Sequence, residues 1–167
     1  SYGDFNGDNP NTTPDAQNLY MYLSEFVEHN CKYASIETSS EAFFRGRLVA
    51  MSFDIAAYTN VTSEHLNIHK TFENYLDCKC GLFRHTKENG ISILNKDDKY
   101  YKDVLKACNA ENIYTYGKDE DNTIQIVTFK SLPDHTEIVY NYEGNVIEVN
   151  SPLLGDFNVY NLAAAML

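Results

Sequence analysis

The chain has 167 residues, 43% of them hydrophobic and 22% charged, which suits one soluble globular domain with a substantial core. Its formal net charge of −11 argues against a nucleic-acid-binding surface, and no apolar run approaches the roughly 20 residues of a membrane-spanning helix. The four cysteines include no CxxC pair and indicate reduced thiols, so we expect a cytoplasmic protein without nucleic-acid or membrane partners.

Hydrophobic periodicity and capping residues predict alternating helices and strands in the first half of the chain. Thr13 is predicted to cap the first helix, because a hydroxyl before Pro14 can accept a free backbone N–H. The predicted buried face of that helix is Leu19, Tyr20, Leu23, Phe26 and Val27. The predicted elements are this helix to about Asn30, a strand over 33–38, a short helix ending near Phe44 and a strand over 53–58.

The second half continues the alternation and then changes. The predicted elements are a polar loop, a helix capped by Thr71, a strand over 91–94, a helix ending near Ala110 and a strand over 113–116. Three β-rich runs from Thr123 onward are typical of an antiparallel meander, and Asp156 is predicted to cap a final helix. The pattern predicts an α/β fold, with a mostly parallel sheet flanked by helices and a small antiparallel β extension.

One lysine of the stretch 54–83 occupies an unusual position. Lys79 lies on the same face of its predicted helix as Phe72, Tyr75, Leu76 and Phe83. Its amine can extend to water; if it is buried instead, it must find a partner or change its chemical state. A neutral, desolvated amine can take up carbon dioxide, and the resulting carbamate anion is suited to binding magnesium.

Acidic and imidazole side chains are predicted near the carboxyl ends of the parallel strands, where ligands gather in open α/β sheets. Glu37 ends one predicted strand, and His65 lies in the loop after the next. With a carbamylated Lys79 they can ligate a divalent ion, although each also fits a solvated surface role. His65 and His69 are four residues apart, a spacing that can bind zinc in a small hydrolase that also uses Glu64.

Further polar residues are candidates for binding a substrate or a nucleotide. Ser39 and Arg47 can contact an anionic group, since arginine at a bend suits carboxylate or phosphate recognition. Asn158 and Asn161 lie three apart on the final helix, where an exposed amide pair can contact a base or ribose. A surface arginine and solvated amides are the simpler interpretations.

The order of these segments resembles the central domain of the Mur ligases. The segments are NTTPDA, IETSS, GR, FDIAAYTNVTSEHLNIHKTFENYLDCKCGLF, ILNKDD and PLLGDFNVYNLAAA. The resemblance covers nearly the whole chain; its most specific part is GDFNVYNLAAA, together with the polar spacing between 59 and 83. It is strongest to the members that add the third peptide residue in peptidoglycan synthesis.

The resemblance implies an ATP-dependent ligase with ATP and Mg²⁺ as cofactors. ATP would phosphorylate the carboxylate of a UDP-N-acetylmuramoyl dipeptide, and the amine of lysine or diaminopimelate would attack the acyl phosphate. By position, Lys79 resembles a carbamylated catalytic lysine that ligates the metal together with Glu37 and His65. The implied substrate contacts are Thr12, Thr13, Ser39 and Arg47, and the implied ATP contacts are Asn158 and Asn161.

Departures from the family pattern leave an alternative open. Glu41 replaces the histidine usual after the two serines, and Glu64 and Asn67 replace aspartates. Residues 1–167 also lack the Gly-rich phosphate loop, the N-terminal UDP-binding domain and the C-terminal domain that selects the amino acid. We therefore expect a single partial central domain, with the remaining domains of a parent chain as partners, that does not turn over ATP alone. The alternative is a non-catalytic Mur-like binding or assembly module.

Overall fold

The computed structural model describes residues 11–62 and 66–167, and of Leu66 and Asn67 it describes the backbone alone. The described residues group into two units: 11–51 with 66–82, and Ser52–Thr62 with Phe83–Leu167. The helices are α1 (Ala16–Glu28), α2 (Ser40–Phe44), α3 (Leu66–His69), α4 (Phe72–Arg84), α5 (Tyr101–Ala107) and α6 (Asp156–Met166). The strands are β1 (Phe53–Tyr58), β2 (Thr86–Asn95), β3 (Asn112–Gly117), β4 (Ile124–Ser131), β5 (Thr136–Tyr142) and β6 (Asn145–Ser151). Within these ranges, no helix combines the length and apolar character that crossing a bilayer requires.

One sheet in the second unit contains all six described strands, in the spatial order β1-β2-β3-β4-β5-β6. The pairings from β1 to β4 are parallel, and those from β4 to β6 are antiparallel. β4 pairs with β3 only through Ile124 and Gln125, at the carboxyl end of β3. The predicted mostly parallel sheet with an antiparallel extension is confirmed.

The core of the second unit lies between this sheet and α6. Its buried residues are Ile93, Tyr116, Ile124, Ile126, Ile138, Tyr140, Val159, Ala163 and Ala164. The two buried phenol hydroxyls each find a backbone acceptor, as buried tyrosines usually do. Tyr116 donates to the carbonyl of Tyr58 and Tyr140 to the carbonyl of Val159, each over 2.7 Å. The second of these bonds ties α6 to β5.

Helix α1 starts later than predicted, because Asp15 and not Thr13 is its N-cap. The Asp15 carboxylate accepts the backbone N–H of Asn18 over 3.0 Å. The helix ends at Glu28, and Asn30 adopts the left-handed conformation, with φ of 57°, that commonly follows a helix.

The predicted buried face of α1 is only partly correct. Leu19 is buried, and Leu23 and Phe26 are half-buried. Tyr20 and Val27, in contrast, are 44% and 74% exposed.

Residues 33–38 do not form the predicted strand. Tyr33 is 92% exposed, and no strand is present between α1 and β1. Residues that favour β structure form a strand only where a neighbouring backbone pairs with them, and none does here within the described chain. The short helix predicted next is present as α2, with Ser39 as its N-cap to Ala42.

Two other predicted boundaries change. Residues 66–69 form α3 instead of continuing the polar loop, whereas Thr71 caps α4 as predicted, accepting the N–H of Asn74 over 3.2 Å. The N-cap of α6 is Gly155 and not Asp156, which is the first helical residue. Glycine suits that position because its φ of 97° is unfavourable for other residues.

Candidate functional site

Four of the predicted site residues meet in the first unit, in a group that we call the Thr13 cluster: Thr13, Glu37, Ser39 and Arg47. The buried hydroxyl of Thr13 donates to the backbone carbonyl of Glu37 over 2.8 Å and accepts the N–H of Ser39 over 2.9 Å. Arg47 donates through Nη1 to the carbonyl of Thr13 over 2.9 Å. Thr12, the fifth predicted residue of this group, is exposed beside it.

Glu41, which replaces the histidine usual in the family, lies near two arginines, one of which is Arg47 of this cluster. Its Oε1 lies 2.6 Å from Nε of Arg45, one turn further along the chain, and 3.9 Å from Nη2 of Arg47. The Arg47 side chain is only 15% exposed, so its charge is already partly desolvated. Glu41, one of the departures from the family pattern, thus forms an ion pair with Arg45.

Lys79 is half-buried on α4. Its Nζ lies 5.8 Å from the centroid of the Tyr75 ring, one helical turn earlier. An ammonium at that distance is attracted to the face of the ring. This contact favours the charged form of the amine, and carbamylation of Lys79 stays a prediction.

His69 has a structural environment that counts against the zinc interpretation. It is 1% exposed and packs against Phe44 and Tyr75, with ring centroids 5.3 Å from each. Its Nε2 shares a hydrogen bond of 2.9 Å with the hydroxyl of Ser40. That nitrogen is therefore already engaged.

The predicted metal ligands are described only in part. Glu37 is exposed, and its backbone carbonyl, not its carboxylate, is the group that Thr13 contacts. His65 and Glu64 lie outside the described residues. Among residues 11–62 and 66–167, no three His, Cys, Asp or Glu side chains are grouped to hold a metal. The predicted set combines Glu37 with His65, which is not described, and with a lysine carbamate, which is not a His, Cys, Asp or Glu side chain. It therefore stays a prediction.

A second candidate site lies in the second unit, where the carboxyl ends of β1 and β2 face the start of α6. It is a cavity of about 210 Å³, which we call the strand-end cavity. Its lining residues are Thr59, Asn60, Asn95, Asp97, Asp98, Phe157, Tyr160 and Asn161. The cavity is smaller than the roughly 300–1,000 Å³ of pockets for drug-sized ligands, so it suits one end of a larger molecule.

Asp97 connects three elements at this cavity. Both of its carboxylate oxygens accept the backbone N–H of Lys118, after β3, over 3.1 Å. Its Oδ2 also accepts the hydroxyl proton of Tyr160, on α6, over 2.8 Å. Burial raises the pKa of Tyr160, and the hydrogen bond to Asp97 raises it further, so the hydroxyl stays protonated at neutral pH.

The neighbouring carboxylate of Asp98 stabilises the local backbone and the end of β1. It accepts the N–H of Tyr100 over 2.8 Å and the hydroxyl proton of Tyr58. Asn95 donates to the carbonyl of Thr59 over 2.7 Å and so joins the ends of β2 and β1. These bonds therefore hold three residues that line the strand-end cavity, Thr59, Asn95 and Asp98.

The two predicted ATP-side asparagines contact each other on α6. The amide of Asn161 donates to Oδ1 of Asn158 over 3.2 Å, and Asn158 donates to the carbonyl of Leu154 over 2.9 Å. Asn161 is exposed and lines the strand-end cavity, whereas Asn158 is half-buried behind it. The pair is thus ordered next to a cavity, and its role in binding ATP stays a prediction.

Sequence reasoning assigned no binding role to Asn95, Asp97 or Tyr160. Asn95 is the last residue of β2 and Asp97 follows it, so the rule that ligands gather at strand ends could have identified both. Tyr160 gave no comparable signal, because its partner Asp97 is 63 residues away in the sequence.

Comparison with known families and proteins gives consistent similarities. The family model for the Mur ligase middle domain matches residues 2–167. A UDP-N-acetylmuramoyl-L-alanyl-D-glutamate–2,6-diaminopimelate ligase of Chlamydia felis is 35% identical over 155 residues, which are 93% of this chain and 32% of that protein. A UDP-N-acetylmuramyl-tripeptide synthetase of Borrelia garinii is 33% identical, over 93% of this chain and 31% of that protein. The chain spans about a third of the length of the curated relatives it matches.

Solved structures show the same likeness in three dimensions. One UDP-N-acetylmuramoyl-L-alanyl-D-glutamate–2,6-diaminopimelate ligase matches with a TM-score of 0.84 and 31% identity, over 96% of this chain and 34% of that one. A MurF ligase of Thermotoga maritima in complex with ADP matches with a TM-score of 0.62 and 21% identity, over 81% of this chain and 33% of that one. The second similarity is one of fold alone.

Proposed function

The chain belongs to the Mur ligase family as a middle domain, and from that premise we propose that it is the central part of an ATP-dependent ligase of peptidoglycan synthesis. The proposed reaction joins diaminopimelate or lysine to UDP-N-acetylmuramoyl-L-alanyl-D-glutamate in the cytoplasm. The names of the relatives favour diaminopimelate. The observation that carries the proposal is the Thr13 cluster, because residues 24 to 34 apart in the sequence converge there through hydrogen bonds.

The Thr13 cluster would bind the anionic dipeptide substrate. An arginine guanidinium is planar and positively charged, and one nitrogen of the Arg47 guanidinium donates to the carbonyl of Thr13. Its remaining N–H groups can donate to a carboxylate or phosphate in the planar geometry that such groups prefer. Ser39 offers a hydroxyl beside it. Glu41 opposes the charge of Arg47 at 3.9 Å and would moderate the affinity for the anion.

The donor set predicted for Mg²⁺ fits that ion chemically. Glu37 presents an exposed carboxylate, and a carbamate on Lys79 would add a second anionic oxygen ligand. His65 would supply an imidazole nitrogen. ATP with Mg²⁺ supplies the phosphoryl group and neutralises the charge that develops during its transfer. The residues of this chain would hold these groups and orient the carboxylate to be activated.

The strand-end cavity would take the nucleoside end of ATP. Asn161 offers an amide that can both donate and accept, and Phe157 and Tyr160 offer aromatic surface for a base. A volume of about 210 Å³ would accommodate part of a nucleotide, such as its base. Asn158 would keep the amide of Asn161 in one orientation.

The proposal can be tested by substituting Lys79 in the full-length protein that contains this chain. Lys79→Ala is expected to lower kcat for ATP-dependent ligation at least about 100-fold, because a preorganised charge in the site is lost. Lys106→Ala, on the exposed surface of α5, is the matched control and should leave kcat unchanged. Carbon-13 NMR after addition of labelled bicarbonate should show a carbamate signal that is lost only in Lys79→Ala.

Two outcomes would contradict this assignment in different ways. A full-length protein that binds the UDP dipeptide but never forms the amide bond would favour the non-catalytic binding module. Full activity of Lys79→Ala would support the ligase function but refute the proposed catalytic role of Lys79.

A further inference from the structure

The start of α6 is connected to the sheet from two sides by tyrosine hydroxyls. On the core side, Tyr140 on β5 donates to the carbonyl of Val159 over 2.7 Å. On the cavity side, Tyr160 on α6 donates to Asp97 over 2.8 Å. The first bond is buried within the core, whereas both partners of the second line the strand-end cavity.

The surroundings of Asp97 leave its carboxylate little freedom. Both of its oxygens already accept the N–H of Lys118. A Cβ atom on Gly117 would lie 2.6 Å from Oδ1 of Asp97, so the end of β3 approaches the carboxylate as closely as a glycine allows. The carboxylate is therefore held in one place beside the carboxyl ends of β2 and β3, and the hydroxyl of Tyr160 binds to this fixed group.

We propose that Asp97 and Tyr160 form a positioning pair that fixes α6 so that Asn161 faces the strand-end cavity, and that this pair sets the affinity of the site for the nucleoside end of ATP. The inference rests on the proposed function and deepens it. Asn161 follows Tyr160 directly in the sequence and lines the same cavity. A rotation of the helix that moves the tyrosine away from Asp97 must move the asparagine too.

A purely structural role would give a different pattern of effects. α6 is retained by Val159, Ala163 and Ala164, which belong to the core, so loss of the Tyr160 hydroxyl should leave the helix folded. The consequence should appear in nucleotide binding and not mainly in stability. Tyr140→Phe removes a comparable phenol bond to the same helix without touching the cavity, and it is the matched control.

The experiment uses the full-length protein with Tyr160→Phe, Asp97→Asn, the double variant and Tyr140→Phe. Calorimetry with a non-hydrolysable ATP analogue should show a Kd about tenfold higher for Tyr160→Phe, the effect of one charge-assisted hydrogen bond. The combined effect in the double variant should be smaller than the sum of the two single effects, since both substitutions act on the same contact. The KM for the UDP dipeptide should stay within twofold of wild type in both single variants.

The expected control result is a lower Tm for Tyr140→Phe with an unchanged Kd for the analogue. The inference is overturned if Tyr160→Phe binds the analogue like wild type, or if Tyr140→Phe weakens binding as much. Should Asp97→Asn fail to fold, the comparison of the two tyrosine variants decides alone. A wild-type protein that neither binds the analogue nor ligates would instead overturn the proposed function, and the inference with it.

Discussion

Thr13→Val tests whether one buried hydroxyl holds the Thr13 cluster together. Valine has nearly the shape of threonine but can neither donate to Glu37 nor accept from Ser39. Each of the two hydrogen bonds contributes about 1 kcal/mol net, and leaving partly buried partners unpaired adds to the loss. We expect a loss of about 2–3 kcal/mol, or about 4–12 °C in Tm for a chain of this length.

The assay is thermal and urea unfolding of the 167-residue chain followed by circular dichroism. Thr13→Ser is the matched control, because it keeps the hydroxyl and loses one buried methyl group, which costs about 1 kcal/mol. Thr12→Val, at the exposed neighbouring position, should change stability by no more than about 0.5 kcal/mol. In the full-length protein, Thr13→Val should also raise the KM for the UDP dipeptide, because Arg47 and Ser39 lose their common anchor.

The result that would refute this reasoning is a Thr13→Val protein no less stable than Thr13→Ser. The hydrogen bonds of the Thr13 hydroxyl would then contribute nothing to stability. If Thr13→Val clearly lowers stability but leaves the KM unchanged, the cluster stabilises the fold without contributing to substrate binding. Either result would remove the main argument for the proposed function, which is that the Thr13 cluster forms a substrate site.

Three further predictions concern stability. Gly90→Ala should lose more than about 1 kcal/mol, because the added Cβ would lie 2.6 Å from the carbonyl oxygen of Asp54; urea unfolding within error of wild type would contradict this. Burial raises the pKa of Tyr140 to about 12, above the value of about 10 in an unfolded chain, so the unfolded state loses its proton first. Stability should therefore be fully retained below pH 10 and fall between pH 10 and 12, less steeply in Tyr140→Phe, and parallel pH profiles would be the contrary result. Ser40→Ala should cost about 1–3 kcal/mol, because the buried imidazole of His69 loses its partner at Nε2; an unchanged Tm would show that this bond is replaced.

The sheet was predictable because its signals are local. Alternating helical and β-favouring runs predicted parallel strands, and turn residues between β-rich runs predicted the meander of β4, β5 and β6. The prediction of a strand at 33–38 was wrong for the complementary reason: its composition favours β structure, but no strand among the described residues pairs with it. Strand formation depends on a partner, and a single segment does not contain that information.

The candidate sites were predictable in their composition but not in their contacts. Thr13 is a residue type that commonly caps helices, but the cap of α1 is Asp15. The Thr13 hydroxyl instead bonds to residues 24 and 26 positions away. Likewise, Asn161 could be singled out from its spacing with Asn158, whereas the contact of Tyr160 with Asp97 could not. Local chemistry identifies candidates, and contacts distant in sequence decide which role each one takes.

In both candidate sites, the groups that hold the backbone differ from those available to a ligand. Thr13 uses its hydroxyl and its carbonyl within the first unit, whereas the side chain of Glu37 is exposed and available to a ligand. In the second unit, the carboxylates of Asp97 and Asp98 accept backbone N–H groups and tyrosine hydroxyls, whereas Asn161 is exposed and lines the cavity. A carboxylate so engaged is a poor metal ligand, because each donor it holds must be given up when a cation binds. We therefore expect added Mg²⁺ to perturb the NMR signals of residues near Glu37 before those near Asp97, and the reverse order would contradict the assignment of roles to the two sites.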